Sequence, residues 1–173
     1  MDDETINKNN FNFKQFLKQN KLKLISIIGL GIIFVIIFVF FDEYKKRQNI
    51  HISEKYNKAK ILIEKNEPQE ALILLEEIIL RNNIFYSPSA LNLIIDKDLI
   101  KNRNKIIEYF DKVISDSGLD SETKNLFIFK KIIYLGDNIS ENELLKSLKP
   151  IIQSNSLWKD TVSDYIKKYY LSK

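Results

Sequence analysis

His51 is the only imidazole in the 173 residues, and cysteine is absent. Disulfides, thiolate zinc sites and thiol nucleophiles are therefore excluded. His51 has no second histidine for a metal site and no nucleophile beside it, so it reads as an exposed residue of a polar segment. Two carboxylate pairs, Glu76 with Glu77 and Asp96 with Asp98, have the residue types for acid–base work. Without a nucleophile or base nearby, helix-surface charge is their expected role. No Ser-His-Asp set, HExxH, phosphate-binding loop or GxGxxG fingerprint occurs. The expected class is therefore not an enzyme, and no cofactor, metal or small-molecule substrate is implied. Trp158, Tyr165, Tyr169 and Tyr170 have the character of an aromatic peptide-binding surface. Packing against a preceding hairpin, to close the end of a helical stack, is the expected use.

What remains for this chain is binding, and charge narrows the partners. The 27 Lys+Arg exceed the 23 Asp+Glu by four. The first 23 residues hold five of those lysines and three acids, and residues 24–41 hold no charge. The remainder is close to neutral, so no basic face signals nucleic acid.

The run LISIIGLGIIFVIIFVFF, Leu24 to Phe41, carries no charged side chain from end to end. As a helix it would reach roughly 27 Å, enough for the hydrocarbon core of a bilayer. It is apolar on every face and has lysines on both flanks, which distinguishes it from a buried core helix. No small-x-small cleavage site follows it, so an uncleaved single-span anchor is expected. Gly29 and Gly31 lack the GxxxG spacing of a close helix pair. The basic flanks, Lys8 to Lys23 before the run and Lys45 to Lys60 after it, are nearly balanced, so charge alone does not orient the anchor. Before it, residues 1–23 form a polar tail. Its FNFKQFLKQNKLK segment suits a lipid surface and a solvated state equally.

After the anchor the reading is all-α: residues 42–52 as a juxtamembrane linker and 53–173 as a helical domain. Strand and hairpin signals are poor, and apolar residues recur at helical spacing. The first helix is expected over Ser53 to Lys65, with Tyr56, Ala59, Leu62 and Ile63 on its apolar side. NEP then breaks it, because the residue before a proline leaves the α region and Pro68 suits a first helical turn. Leu72, Leu75, Ile78 and Ile79 make the stripe of the second. Further starts fall at Ser87, after the polar break Lys101 to Asn104, at Ser121, at a capping box of Ser140 with Glu143, and near Trp158. Gly118 is expected to close the fourth helix.

The alternate starts Ser53, Ser87, Ser121 and Ser156 are separated by 34, 34 and 35 positions. A 34-residue period with two helices per unit is the tetratricopeptide spacing. Ala59 and Ala71, twelve apart, stand where that repeat places small residues, and NEPQEAL lies at its turn; later units carry Ile94 and Ile106 instead. The chain thus resembles a stack of about 3.5 tetratricopeptide-like repeats behind a single-span anchor. From Lys21 to Lys173 it is similar to the bacterial inner-membrane family exemplified by the ancillary subunit of the Sec translocon, and NSLWKD (Asn155 to Asp160) resembles the opening of that family's last segment.

The resemblance implies a cytoplasmic N-terminus and a periplasmic repeat domain. It also implies a role as an adaptor linking translocating proteins to periplasmic chaperones. A scaffold in another envelope complex, for division or outer-membrane assembly, is the alternative. In the repeat register Tyr56, Lys60, Ile63 and Glu64 should line the concave protein-binding surface. The expected partners are proteins and the lipid bilayer.

Overall fold

The fold comes from a computed structural model that describes residues 20–116 and 118–171, apart from the side chains at positions 24, 25, 27, 28, 42 and 45. Seven α-helices, one 3-10 turn and no strand occur among the described residues. They are α1 (Lys21–Glu64), α2 (Pro68–Leu80), α3 (Tyr86–Asp96), α4 (Arg103–Ile114), α5 (Ser121–Leu135), the 3-10 turn Gly136–Asn138, α6 (Glu141–Gln153) and α7 (Lys159–Leu171). The chain divides into two compact units, Met1–Gln48 and Asn49–Lys173.

In the first unit, every apolar side chain from Ile32 to Phe41 is between 49% and 73% exposed, on all sides of α1. Among the described residues no helix is long and apolar enough to cross a membrane. The run Leu24–Phe41 is not wholly among them, since the side chains at 24, 25, 27 and 28 lie outside. The polar tail and most of its lysine-aromatic stretch, residues 1–19, lie outside as well.

Residues 42–52, expected to be a linker, are helical, and the helix expected to begin at Ser53 is the end of α1. Between Phe41 and Ser53 there is no glycine or proline to interrupt it, and Arg47 bonds Glu43 one turn back at 3.0 Å.

The second unit is built from caps and breaks that the sequence announces. Asn66 sits in the left-handed region (φ 64°), and Glu67 N–H donates to Leu62 O at 2.9 Å to close α1. Asp98 (φ 49°) does the same for α3, where Leu99 N–H donates to Ile94 O at 3.0 Å. Asn102 caps α4 by accepting from Asn104 and Lys105. Asp120, one residue before the expected Ser121, caps α5 by accepting from Thr123 N–H at 2.9 Å. Ser140 caps α6, and its hydroxyl also donates to the Glu143 carboxylate at 3.1 Å.

Burial repeats along this unit. Ala59, Ile94 and Phe129, on α1, α3 and α5, are buried at equal spacing, and the same spacing separates the buried Ala71 of α2 from Ile106 of α4. The next equivalent, Leu144 on α6, comes three positions later than that spacing would place it. Ala71, Ile106 and Leu144 all lie four positions past their N-caps, so the 3-10 turn Gly136–Asn138 accounts for the added three. Ala59 and Ala71 are both fully buried. Ala71→Leu should overpack that hairpin and cost about 1–3 kcal/mol, read as a lower midpoint in urea; an unchanged midpoint would show that the site has room.

Contacts between successive hairpins recur at a slightly different interval. Asn83, which accepts from Phe85 and Tyr86 N–H to start α3, donates its amide to Asn49 at 2.7 Å. Glu122 accepts from the Ser156 hydroxyl at 2.8 Å, and also from Leu157 N–H at 2.9 Å. Asn49 with Asn83 and Glu122 with Ser156 are each 34 positions apart. Gly118 and Ile84 keep the same separation, and a Cβ on Gly118 would come within 2.7 Å of Ile84 Cγ2. Gly118 therefore does not close α4, which ends at Ile114 with Ser115 as its cap. Its lack of a side chain serves the close approach of two successive loops.

The buried side chains form two cores. One joins residues from Ile52 to Phe127, the other residues from Phe129 to Tyr169. Phe127 and Phe129 are two positions apart on α5 and so point to opposite sides of it; α5 is the wall between the cores. Trp158 donates its indole N–H to Glu122 O at 3.1 Å, Tyr165 packs edge-on to Phe129 at 5.4 Å, and Tyr169 is buried. These aromatics fasten α7 to the stack, and Tyr170 bonds Glu141 at 2.7 Å.

Candidate protein-binding surface

The residues expected at the binding surface divide in two. Lys60 and Glu64 are exposed, whereas Tyr56 and Ile63 are half-buried against the first core. Tyr56 lies 5.6 Å from Tyr86 of α3. Its phenol is held above the usual range, first by burial and then by the nearby Asp96 carboxylate. Tyr56 thus sits on the side of α3 that carries Asp96.

Between α3 and α5 that side opens into a groove of about 220 Å³. Asn92, Ile95 and Asp96 come from α3, Lys130, Ile133 and Tyr134 from α5, and Phe110 of α4 forms part of its lining. Lys130 donates to Asn92 Oδ1 at 2.8 Å and lies 5.5 Å from the Phe127 ring centre. Tyr134 packs at a tilt against Phe110, ring centres 5.8 Å apart, and lies under the Arg103 guanidinium at 5.4 Å. Arg103 in turn donates to the carbonyls of Tyr134, at 2.7 Å, and Leu135 at the end of α5, where a cation suits the helix dipole. Ile133 is 49% exposed. An anion, a cation, a primary amide and the apolar side chains of Ile95, Phe110 and Ile133 thus surround one groove, a set able to hydrogen-bond a peptide backbone while covering its side chains.

Sequence motifs do not point to Asn92, Lys130 or Tyr134, although the repeat spacing carries a signal for two of them. Carrying Lys60 forward by the spacing of the buried positions reaches Ile95 and then Lys130; carrying Glu64 forward reaches Leu99 and then Tyr134.

Three of the four carboxylates in the suspected pairs are held in ion pairs. Glu77 accepts from Lys55 and Arg81, and these bonds, Lys55 first, hold its carboxyl below the usual range. Glu76 meets Lys105 at 2.5 Å and so ties α2 to α4; this bond raises the Lys105 ammonium. Asp98 pairs with Lys101. His51 is exposed on α1. Among the described residues no cluster of His, Asp and Glu could hold a metal ion.

The class defined by fold and surface is an all-α protein with a helical repeat-like arrangement. No protein-family model, curated protein or solved structure matches the chain.

Proposed function

We propose that the chain is a membrane-held adaptor that binds other proteins through tetratricopeptide-like helical hairpins. The carrying observation is the groove between α3 and α5, whose Asp96, Lys130, Asn92 and Ile133 offer both charges, an amide and apolar surface to a polypeptide. Tyr56, Lys60, Ile63 and Glu64 extend that surface along α1. The all-round exposure of the apolar side chains from Ile32 to Phe41 supports insertion of the Leu24–Phe41 run into a bilayer. Tethering raises the effective concentration of partners at the membrane, so contacts of modest affinity suffice. The family resemblance favours the periplasmic face of a bacterial inner membrane, with translocating polypeptides and chaperones at the secretion channel as partners.

A photo-crosslinking residue at Ile133 tests this in cells. Adducts with channel subunits or emerging chains are expected from Ile133 and not from Leu157, which is 83% exposed and outside the groove. Equal adducts from both positions, or adducts with unrelated complexes only, would overturn the reading. Deleting residues 24–41 should release the protein from the membrane fraction.

A further inference from the structure

The repeat has one irregularity. α2 packs directly on α4, but α4 and α6 make no comparable contact. The added 3-10 turn Gly136–Asn138 lengthens the path to α6, and a cleft of about 410 Å³ lies where the next helix-to-helix contact would be. Ligand sites span roughly 300–1,000 Å³, so this one is large enough to hold a few side chains. It is separate from the groove described above, since Ile128, Lys131 and Leu135 line it on α5 while Lys130, Ile133 and Tyr134 line the groove.

The chemistry of the cleft is specific. Its walls are aliphatic, with Ile107 and Ile114 of α4 facing a set from α5 and the loop after it that includes Ile132 and Ile139. Ile132 and Ile139 belong to the second core and Ile114 packs on the first, so the cleft lies at the seam between the two. Three charged residues line it. Lys131 is neutralised by Asp111 at 2.5 Å. Glu143 has a hydrogen bond from Ser140 and no ion pair among the described residues, so it supplies the remaining negative charge. Asn138 and Ser147 complete the lining with an amide and a hydroxyl.

We infer that this cleft is a second binding site, for a short peptide segment that carries aliphatic side chains beside a lysine or arginine. The isoleucine walls take the aliphatic groups, Asn138 and Ser147 hydrogen-bond the backbone, and Glu143 pairs with the cation. Aromatic or acidic segments fit less well, because the walls contain no ring to stack on and the net charge repels an acid.

The test uses the full chain in lipid nanodiscs, with empty nanodiscs as the blank. The fluorescein-labelled peptide Lys-Leu-Ile-Leu-Leu-Lys is compared with Glu-Leu-Ile-Leu-Leu-Glu by anisotropy. The lysine peptide should bind more tightly, and added salt should narrow the difference. Glu143→Gln removes the charge, retains a side chain suited to the capping box, and should weaken the lysine peptide about three- to five-fold. Ser147→Phe fills the cleft and should weaken it at least about ten-fold through steric exclusion. Equal affinity for the two peptides, or binding that a folded Ser147→Phe leaves unchanged, would overturn the inference. Lys130→Ala alters the groove instead: binding lost there but retained by a folded Ser147→Phe would assign the peptide to the groove and overturn this inference without touching the adaptor function.

Discussion

Replacing Phe110 with alanine should destabilise the helical unit by about 3–5 kcal/mol and lower its melting temperature by roughly 10–20 °C. The ring is 1% exposed and meets two others, Phe127 at 6.3 Å and Tyr134 at 5.8 Å, so it joins α4 to α5 from within the first core. Truncation removes that apolar area from the interior and leaves a void that neighbouring helices, fixed by Glu76 with Lys105 and by Arg103 with the end of α5, cannot readily close. Urea denaturation followed by circular dichroism measures the loss. A change below about 1 kcal/mol would mean that the α4–α5 contact is far looser than its geometry indicates.

Leu148→Ala should cost about 2–5 kcal/mol by the same mechanism in the second core, but its effect should be local. Leu148 is fully buried and shares its core with Leu144, Ile151 and Val162, all of them beyond Phe129 in the chain. Hydrogen exchange should therefore quicken across α6 and α7 while α2 and α4 keep their protection. In stacked helical units each unit leans on its neighbours alone. Uniform loss of protection from α2 to α7 would show instead that the two cores melt as one.

Much of this fold was legible because its signals are local. Pro68 closing NEP, Asn102 in the polar break and Ser140 ahead of Glu143 each mark a helix start through their own backbone chemistry, and each start lies within a position or two of its expected place. The absence of a linker before Ser53 was equally available, since nothing between Phe41 and Ser53 breaks a helix.

The misreadings concern contacts between successive hairpins. Gly118 reads as a helix end until Ile84, in the corresponding loop one repeat earlier, is seen against it. The period itself is the sharper case. Side-chain partners such as Asn49 with Asn83 recur every 34 positions, whereas the buried series Ala59, Ile94 and Phe129 runs one position longer per repeat. One position is about 100° of helical turn. Carried forward by the 34-residue interval, Lys60 lands on the fully buried Ile94; carried by the burial period, it lands on Ile95 in the groove. Tyr56 and Ile63 give part of their area to the core, because which flank of α1 the next hairpin covers depends on α3 and not on α1 alone.

The division of the core has a temporal side. Every buried member of the first core precedes Phe129 in the chain, and every buried member of the second lies from Phe129 onward. A ribosome releases residues in that order. The hairpins from Ile52 to Phe127 can therefore close while α6 and α7 are still being synthesised, and Phe110 and Ile78 need not stay open to solvent while distant partners are made. Contacts that span few residues also form quickly. The chain can be assembled from its N-terminal side one hairpin at a time, with α5 as the finished edge on which the last hairpin is laid.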